Sequence, residues 1–320
     1  MSEASIKREA LVRIRQLVEE QNAAAELRKQ RDPGEVADIL ASVFMVNEKS
    51  QSVDDLVLYG TFLMESGREE EARKFLNIAM QRAGMKNVTS ALETFYWQME
   101  TRPDLRQARS FAALSYVLSL PNIGTVLDVG SGGGEHAVEF ARAGKSVRCV
   151  DFGRSIYVRN SSSKSELAAS ATITAVTADF MELEVEEKYD LVWCSHVLEH
   201  QPNANAFLTR CFAHSAVNGW VVITVPPLKS PIVGGHVSLW NAGLLLYQLV
   251  MAGNDCSDAV VMNYDYNISL LVRNRPIDLP ALDYDSGDID RLSKFFPPNC
   301  SEKFDGRMVG YSMKRFDPSN

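Results

Sequence analysis

The chain has 320 residues, 46% hydrophobic and 23% charged, with 33 Lys and Arg against 41 Asp and Glu for a net charge of −8. That mixture belongs to an ordinary globular protein long enough for two domains. It contains no dense Lys/Arg block of the kind that grips duplex nucleic acid, so nucleic acid is not an expected partner. The cysteines, Cys149, Cys194, Cys211, Cys256 and Cys300, form no CxxC pair and have no zinc-site spacing with histidine. They read as free thiols in a reducing cytoplasm, and no metal site is expected. The opening "MSEASIKREALVRIRQ" is charged throughout, and no stretch approaches the ~20 apolar residues of a membrane span. A soluble, cytoplasmic chain is the expectation.

Residues 1–118 read as an all-α domain. Ile6, Ala10, Ile14 and Leu17 keep the three-and-four spacing of one helical face, and Val36, Ile39, Leu40 and Val43 repeat it after the turn signal "DPG". The stretch "LVLYGTFLMESGREEEARKFLNIAM" places Leu56, Tyr59, Gly60, Leu63, Gly67, Ala72, Leu76 and Ala79 at the small and apolar positions of a tetratricopeptide-type hairpin. A peptide-binding array needs three or more such repeats, and no second copy is evident, so a single helical hairpin is the reading. Ser90 and Glu93 in "SALE" form a candidate capping box.

From residue 119 to 320 the rhythm changes. Short β-rich runs alternate with helical stretches: "TVLDV", "SVRCVD", "TITAVTAD", "DLVWCS" and "WVVITV". Alternation of this kind predicts a parallel sheet covered by helices on both faces. After a helix marked by Leu239, Ala242, Leu246 and Leu249 comes "AVVMNYDYNISLLVR", two β runs with almost nothing between them. So short a connection cannot cross over, and this pair is expected to be antiparallel.

Between the first run and its helix lies "VLDVGSGGGEH", with glycine at 130, 132, 133 and 134. A strand entering a glycine loop and then a helix points backbone N–H groups at a polar or anionic ligand. A dinucleotide fingerprint would need glycine at 135, which is Glu135, and a phosphate loop of the G-x-x-x-x-G-K-S/T type is absent. The pattern is Asp128-x-Gly130-x-Gly132-x-Gly134. It resembles the first motif of the class I S-adenosylmethionine-dependent methyltransferases.

That resemblance covers roughly residues 119–275. Asp151 ends the second run, Asp179 follows the third in "TADF", "DLVWCSHVLEH" matches the fourth strand and its loop, and "NGWVVITVPP" matches the fifth. The resemblance implies a Rossmann-like, mostly parallel seven-stranded α/β sheet with an antiparallel C-terminal hairpin, preceded by the helical domain. It implies S-adenosylmethionine as cofactor. The implied binding set is Asp128, Gly130, Ser131, Gly132, Gly134, Asp151, Phe152, Asp179, Phe180 and Ser195. On this reading the loop amides suit the carboxylate of the donor and Asp128 its ammonium end. Asp151 would take the ribose hydroxyls, and Asp179 the adenine amino group with Phe180 against the ring.

Methyl transfer from a sulfonium is an in-line displacement, so positioning is most of the task. A hydroxyl acceptor profits from a base, most often histidine. Of the five histidines, His236 in "PIVGGHVSLW" and His196 after the fourth strand are the candidate catalytic bases. Glu199 and His200 in "HVLEH" read as braces of their loop. His214 reads as structural, and His136 as a cofactor contact or a solvated residue. Pro226 and Pro227 follow the fifth strand rather than the fourth, unlike the acidic-prolyl-prolyl-aromatic signature of base-modifying amino-methyltransferases. The acidic run "DLPALDYDSGDIDR" lacks the spacing of a calcium loop.

The function expected is methyl transfer to a hydroxyl of a sugar, polysaccharide or small metabolite. "GGHVSLWNAGLLLYQLVMAG" loosely resembles stretches of bacterial surface-polysaccharide enzymes. Two alternatives stand beside it: a non-catalytic methyltransferase-like partner, and a protein methyltransferase that docks its substrate on the helices. Either leaves room for a homo-oligomer or a protein partner held through the helical domain.

Overall fold

The structure, a computed structural model, describes residues 32–44, 52–84, 88–154, 158–159, 163–184, 187–229, 231–298, 300–302 and 304. The helix expected over Ile6 to Leu17 lies outside them, as do the side chains of Ile39 and Val43. The chain divides into two compact units, Met1–Glu100 and Thr101–Asn320.

The first unit holds α1 (Pro33–Phe44), α2 (Val53–Glu65), α3 (Glu69–Ala83) and α4 (Ser90–Glu100). Pro33 opens α1 at a position whose N–H would be unpaired anyway, while Asp32 Oδ1 accepts from Gly34 N at 2.8 Å. A reciprocal capping box between Ser52 and Asp55 starts α2. Ser90, expected to open a capping box with Glu93, is the first residue of α4, and Thr89 just ahead of it accepts from Leu92 N through its Oγ1 at 3.3 Å. In the hairpin of α2 and α3, Leu56, Tyr59, Leu63, Ala72, Leu76 and Ala79 are all buried in one core. Gly60 is required there, because a Cβ would lie 2.4 Å from the Phe95 ring of α4.

The second unit begins ahead of the expected 118/119 boundary. Its first helix, α5 (Phe111–Ser119), packs on the sheet: the rings of Phe111 and Tyr264 meet edge-on with centroids 4.7 Å apart. Ala113 N donates to Tyr264 Oη at 3.4 Å. That hydroxyl continues through Ser269 to Thr224 in a buried chain of O–H groups.

Seven strands follow: β1 (Thr125–Val129), β2 (Ser146–Asp151), β3 (Ile173–Thr177), β4 (Tyr189–Ser195), β5 (Ser215–Val225), β6 (Val260–Tyr264) and β7 (Asn267–Arg273). Their order is β3-β2-β1-β4-β5-β7-β6. The pairs among β1 to β5 are parallel, whereas β7 runs antiparallel to both β5 and β6. This is the expected Rossmann-like sheet, mostly parallel with an antiparallel C-terminal hairpin. The central strands are buried on both faces, as parallel strands under crossover helices are. Those helices include α6 (Glu135–Arg142), α7 (Lys164–Ala169), α8 (Ala204–His214) and α9 (Ala242–Met251), and a short α10 (Asp288–Arg291) follows β7. In α10 the buried Asp288 accepts from Asp283 N and Tyr284 N, so the acidic run is closed on itself. Among the described residues no helix is long and apolar enough to cross a membrane.

The topology changes direction between β1 and β4, because the chain winds outward through β2 and β3 and then returns. Open α/β sheets form their crevice at the carboxyl ends of such a pair. A cleft of about 990 Å³ lies there.

Candidate functional site

The glycine loop forms one wall of the cleft. Gly130, Gly132 and Gly134 have φ of 66°, 53° and 82°, a region that residues with a Cβ enter only at a cost. Space is as decisive as backbone angle. A Cβ on Gly130 would stand 2.3 Å from Val197 Cγ2, and one on Gly134 would stand 2.6 Å from Leu167 Cδ1. The loop is tethered to β2, with Gly130 N and Ser131 N donating to Val150 O at 2.7 and 3.3 Å. Gly134 caps α6, so the loop's amides lead into a helix N-terminus.

The two acids of this wall have different surroundings. Asp151 ends β2, and its Oδ2 and Oδ1 accept from Gly132 N at 2.9 Å and Gly153 N at 2.7 Å. It shapes the loop through one lone pair on each oxygen and keeps a second on each for a ligand. Asp128, at the front of the loop, is buried, and no hydrogen bond reaches its Oδ2 among the described residues. Burial first, then the charges of Asp151 and Glu135, push its carboxyl up to about 8.

Of the other implied residues, Ser131, Phe152 and Ser195 line the cleft, and the Phe152 ring is 55% exposed at its rim. Asp179 and Phe180 do not line it. Asp179 caps a 3-10 turn, Phe180–Glu182, by accepting from Met181 N at 2.8 Å, and it borders a separate hollow with Arg148 and Glu182. Phe180 turns into the core, edge-on to Phe207 at 5.3 Å and beside His214 at 5.2 Å. The strand stops at Thr177, two residues short of Asp179, and the tight turn after it swings both side chains away.

A third wall was not legible beforehand. Gln107, Ala108 and Arg109, from the segment leading into α5, line the cleft. Ser110 holds them there from a left-handed backbone at φ 55°, its Oγ 2.7 Å from Ser195 Oγ. His136 completes the clamp. Its Nε2 donates to Arg109 O at 2.8 Å, and its Nδ1 accepts from Trp193 Nε1 at 3.2 Å. Those two bonds require the neutral Nε2–H form, and burial draws the imidazole down to about 4. His136 is therefore a structural tie in this cleft. Nothing in the polar stretch "QARS" marks it as a wall; only the pairing with β4 and α6 does.

At the far end lie the candidate bases. His196 follows β4 with φ 57° and lines the cleft. Its Nε2 donates to Asn267 Oδ1 at 3.0 Å, while Nδ1 faces Glu199 Oε1 at 3.4 Å. Neither ring nitrogen is turned toward a ligand in this arrangement. His236, on the loop after β5, sits edge-on to His200 with ring centroids 5.0 Å apart. It borders a smaller hollow with Pro226 and Tyr266, whereas His200 lines the main cleft. Glu199, His200 and His236 bring one ligand atom each to within 4.8 Å of one another.

The residues present fit S-adenosylmethionine. A bare loop of amides accommodates a carboxylate, and the unpartnered Asp128 oxygen suits an ammonium group. Asp151 retains acceptors for hydroxyls, Phe152 offers an open ring, and the volume exceeds what a nucleoside of that size occupies.

Residues 97–251 match a family model described as a methyltransferase domain. The ubiquinone biosynthesis O-methyltransferase of Pseudomonas fluorescens (strain SBW25) is 32% identical over 87 residues, 27% of this chain and 38% of that protein. That of Bordetella avium (strain 197N) is 29% identical over 135 residues, 41% of this chain and 56% of that protein. The chain thus spans well under two thirds of the length of these relatives. A solved Burkholderia thailandensis 1,6-didemethyltoxoflavin-N1-methyltransferase with bound S-adenosylhomocysteine is 20% identical, covering 52% of this chain and 76% of that one at a TM-score of 0.43. The matched residues 97–251, built around the glycine-loop sheet of the second unit, are those of a methyltransferase domain of the class I S-adenosylmethionine-dependent type.

Proposed function

We propose that this protein transfers the methyl group of S-adenosylmethionine to a hydroxyl oxygen of a small molecule, a sugar or another metabolite. The buried Asp128, whose Oδ2 has no hydrogen-bond partner among the described residues, at the front of the glycine loop, carries the reading. A retired site has no reason to keep a buried acid whose burial costs several kcal/mol when unpaired. The O-methyltransferase names of the relatives support an oxygen acceptor.

The donor supplies an electrophilic methyl on a sulfonium. The chain's own residues do the rest. The loop amides and Asp128 hold the amino-acid end, Asp151 takes the ribose hydroxyls, and Phe152 covers an apolar face. The His136 tie fixes Gln107–Arg109 against the loop and narrows access for water. The acceptor oxygen enters from the end formed by Ser195, His200 and Gln201. There the proton must leave, and His236, beside His200 with ring centroids 5.0 Å apart, is proposed to take it. Cys149, Cys194, Cys211 and Cys256 are buried thiols, in keeping with a cytoplasmic setting. The helices of the first unit are proposed to dock an acceptor or a second copy, which light scattering of the full chain reads out.

Isothermal titration with S-adenosylmethionine tests the core of the reading. Micromolar affinity, weakened at least ~10-fold by Asp128→Asn, is the expected result. No binding to the intact chain overturns it. Transfer of a labelled methyl group to a fractionated extract, read by mass, then identifies the acceptor.

A further inference from the structure

The "HVLEH" segment and the loop 231–240 leave one group unexplained. Glu199 has a side chain 1% exposed, and neither carboxylate oxygen makes a hydrogen bond among the described residues. Its backbone is fully used, since its carbonyl accepts from Val237 N at 2.8 Å and Ser238 N at 3.3 Å. An ionised carboxylate at that depth costs several kcal/mol unless a cation stands beside it. His196 does not satisfy it. Its Nδ1 is 3.4 Å away, beyond ordinary hydrogen-bond length, and a neutral ring that donates from Nε2 has no proton on Nδ1 to give.

The same oxygen, Oε1, also faces His200 Nε2 at 3.9 Å. His200 donates its Nδ1 proton to Gly235 O at 2.8 Å, so Nε2 presents a lone pair. A ring N–H given to a backbone carbonyl is how metal-ligating histidines are oriented. Gly235 makes that approach possible: its φ is 84°, and a Cβ there would stand 3.0 Å from His200 Nδ1. The next residue, His236, completes the trio, whose ligand atoms lie within 4.8 Å of one another. Ligand atoms around one tetrahedral ion with bonds of ~2.0–2.1 Å stand about 3.4 Å apart, so the two histidines need only small torsions to close.

We propose that Glu199, His200 and His236 form a divalent transition-metal site at the acceptor end of the cleft. Two imidazoles and one carboxylate suit Zn²⁺, Co²⁺ or Mn²⁺ rather than Mg²⁺ or Ca²⁺, which take oxygen ligands. Three protein ligands leave a coordination position open, the mark of a catalytic rather than a structural site. Because His200 lines the main cleft, that position is within reach of an acceptor hydroxyl. Bound there, the hydroxyl loses its proton to solvent near neutral pH. An oxygen lone pair then forms the O–CH₃ bond as the C–S bond breaks and its electron pair passes to sulfur, leaving a neutral thioether. His236 serves on this account as a ligand rather than as the base itself. This role rests on the methyltransferase reading; the site itself does not.

The test uses the full chain stripped with a chelator, titrated with ZnCl₂ by calorimetry and with CoCl₂ by absorption. One equivalent should bind, with the visible d–d bands of low-coordinate Co²⁺. His236→Ala and Glu199→Gln should each weaken Zn²⁺ by at least ~10-fold while leaving S-adenosylmethionine affinity unchanged. His236 lies on a surface loop, so its variant keeps the test valid should the Glu199 variant misfold. Failure to bind, absent Co²⁺ bands, or affinity indifferent to His236→Ala overturns the site. Metal binding without S-adenosylmethionine binding sinks the methyltransferase reading alone, and the converse sinks this one.

Discussion

The two ends of the cleft solve the same problem in opposite ways. At the glycine-loop end, carboxylates are met by backbone: Asp151 accepts from Gly132 N and Gly153 N, and Asp128 lies beneath the same loop. At the other end, Glu199 is met among the described residues only by imidazoles, at 3.4 and 3.9 Å. Backbone amides cannot change charge or move far, so the first end is a rigid mould for one ligand. Imidazoles accept protons, ligate cations and rotate, so the second end is built for chemistry that varies with occupancy. On the proposed function the contrast separates a holding end from a reacting end, and substitutions can be ranked by which one they reach.

The largest effect falls on the mould. Gly130→Ala forces a Cβ into Val197 at a positive φ. It should cost about 2–4 kcal/mol of stability and abolish measurable cofactor binding, read by denaturant midpoint and calorimetry. If both survive, the loop is not a mould at all. Next comes Asp151→Ala, which strands Gly132 N and Gly153 N and should cost about 1–3 kcal/mol with at least ~10-fold loss of S-adenosylmethionine affinity.

Two pH effects follow, of opposite sign. Asp128 is raised to about 8 from 3.8, so the folded state keeps a proton that the unfolded chain has lost between those values. Its contribution to stability therefore falls as pH rises from about 4 to about 8, and Asp128→Asn should flatten that slope in cofactor-free protein. His136 is lowered to about 4 from 6.5. Its contribution is fully present above pH 6.5 and is lost as pH falls toward about 4, so His136→Gln should flatten the acid limb. Urea midpoints across pH measure both, and unchanged slopes would contradict the burial assigned to each group. The smallest effect belongs to Phe152→Ala. Its ring is exposed, so stability should move by less than about 0.5 kcal/mol. Cofactor affinity should fall only ~2- to 10-fold.

Legibility in the sequence followed the range of the interactions. The glycine loop could be read because its φ angles and its place between strand and helix are local properties. Asp151 could be read because it ends β2. Asp179 and Phe180 were misplaced because the strand ends at Thr177 and a 3-10 turn follows, a difference of two residues that reverses where side chains point. Gln107–Arg109 were assigned to the helical domain because nothing in them announces a partner. Their place depends on Ser195 and His136, both distant in sequence. Glu199 and His236 were read as a brace and a base, since only the bonds from Val237 N and Ser238 N to Glu199 O bring their loops together.

Local chemistry along the chain was therefore enough to specify the alternation of strands and helices, the antiparallel pair at its end, the bare turn and the acid ahead of it. Alternating periodicity and missing side chains act over a few residues. Which acids are left without partners, which histidines meet, and which segment closes the cleft were decided only on folding. Burial and hydrogen-bond satisfaction depend on what arrives from elsewhere in the chain.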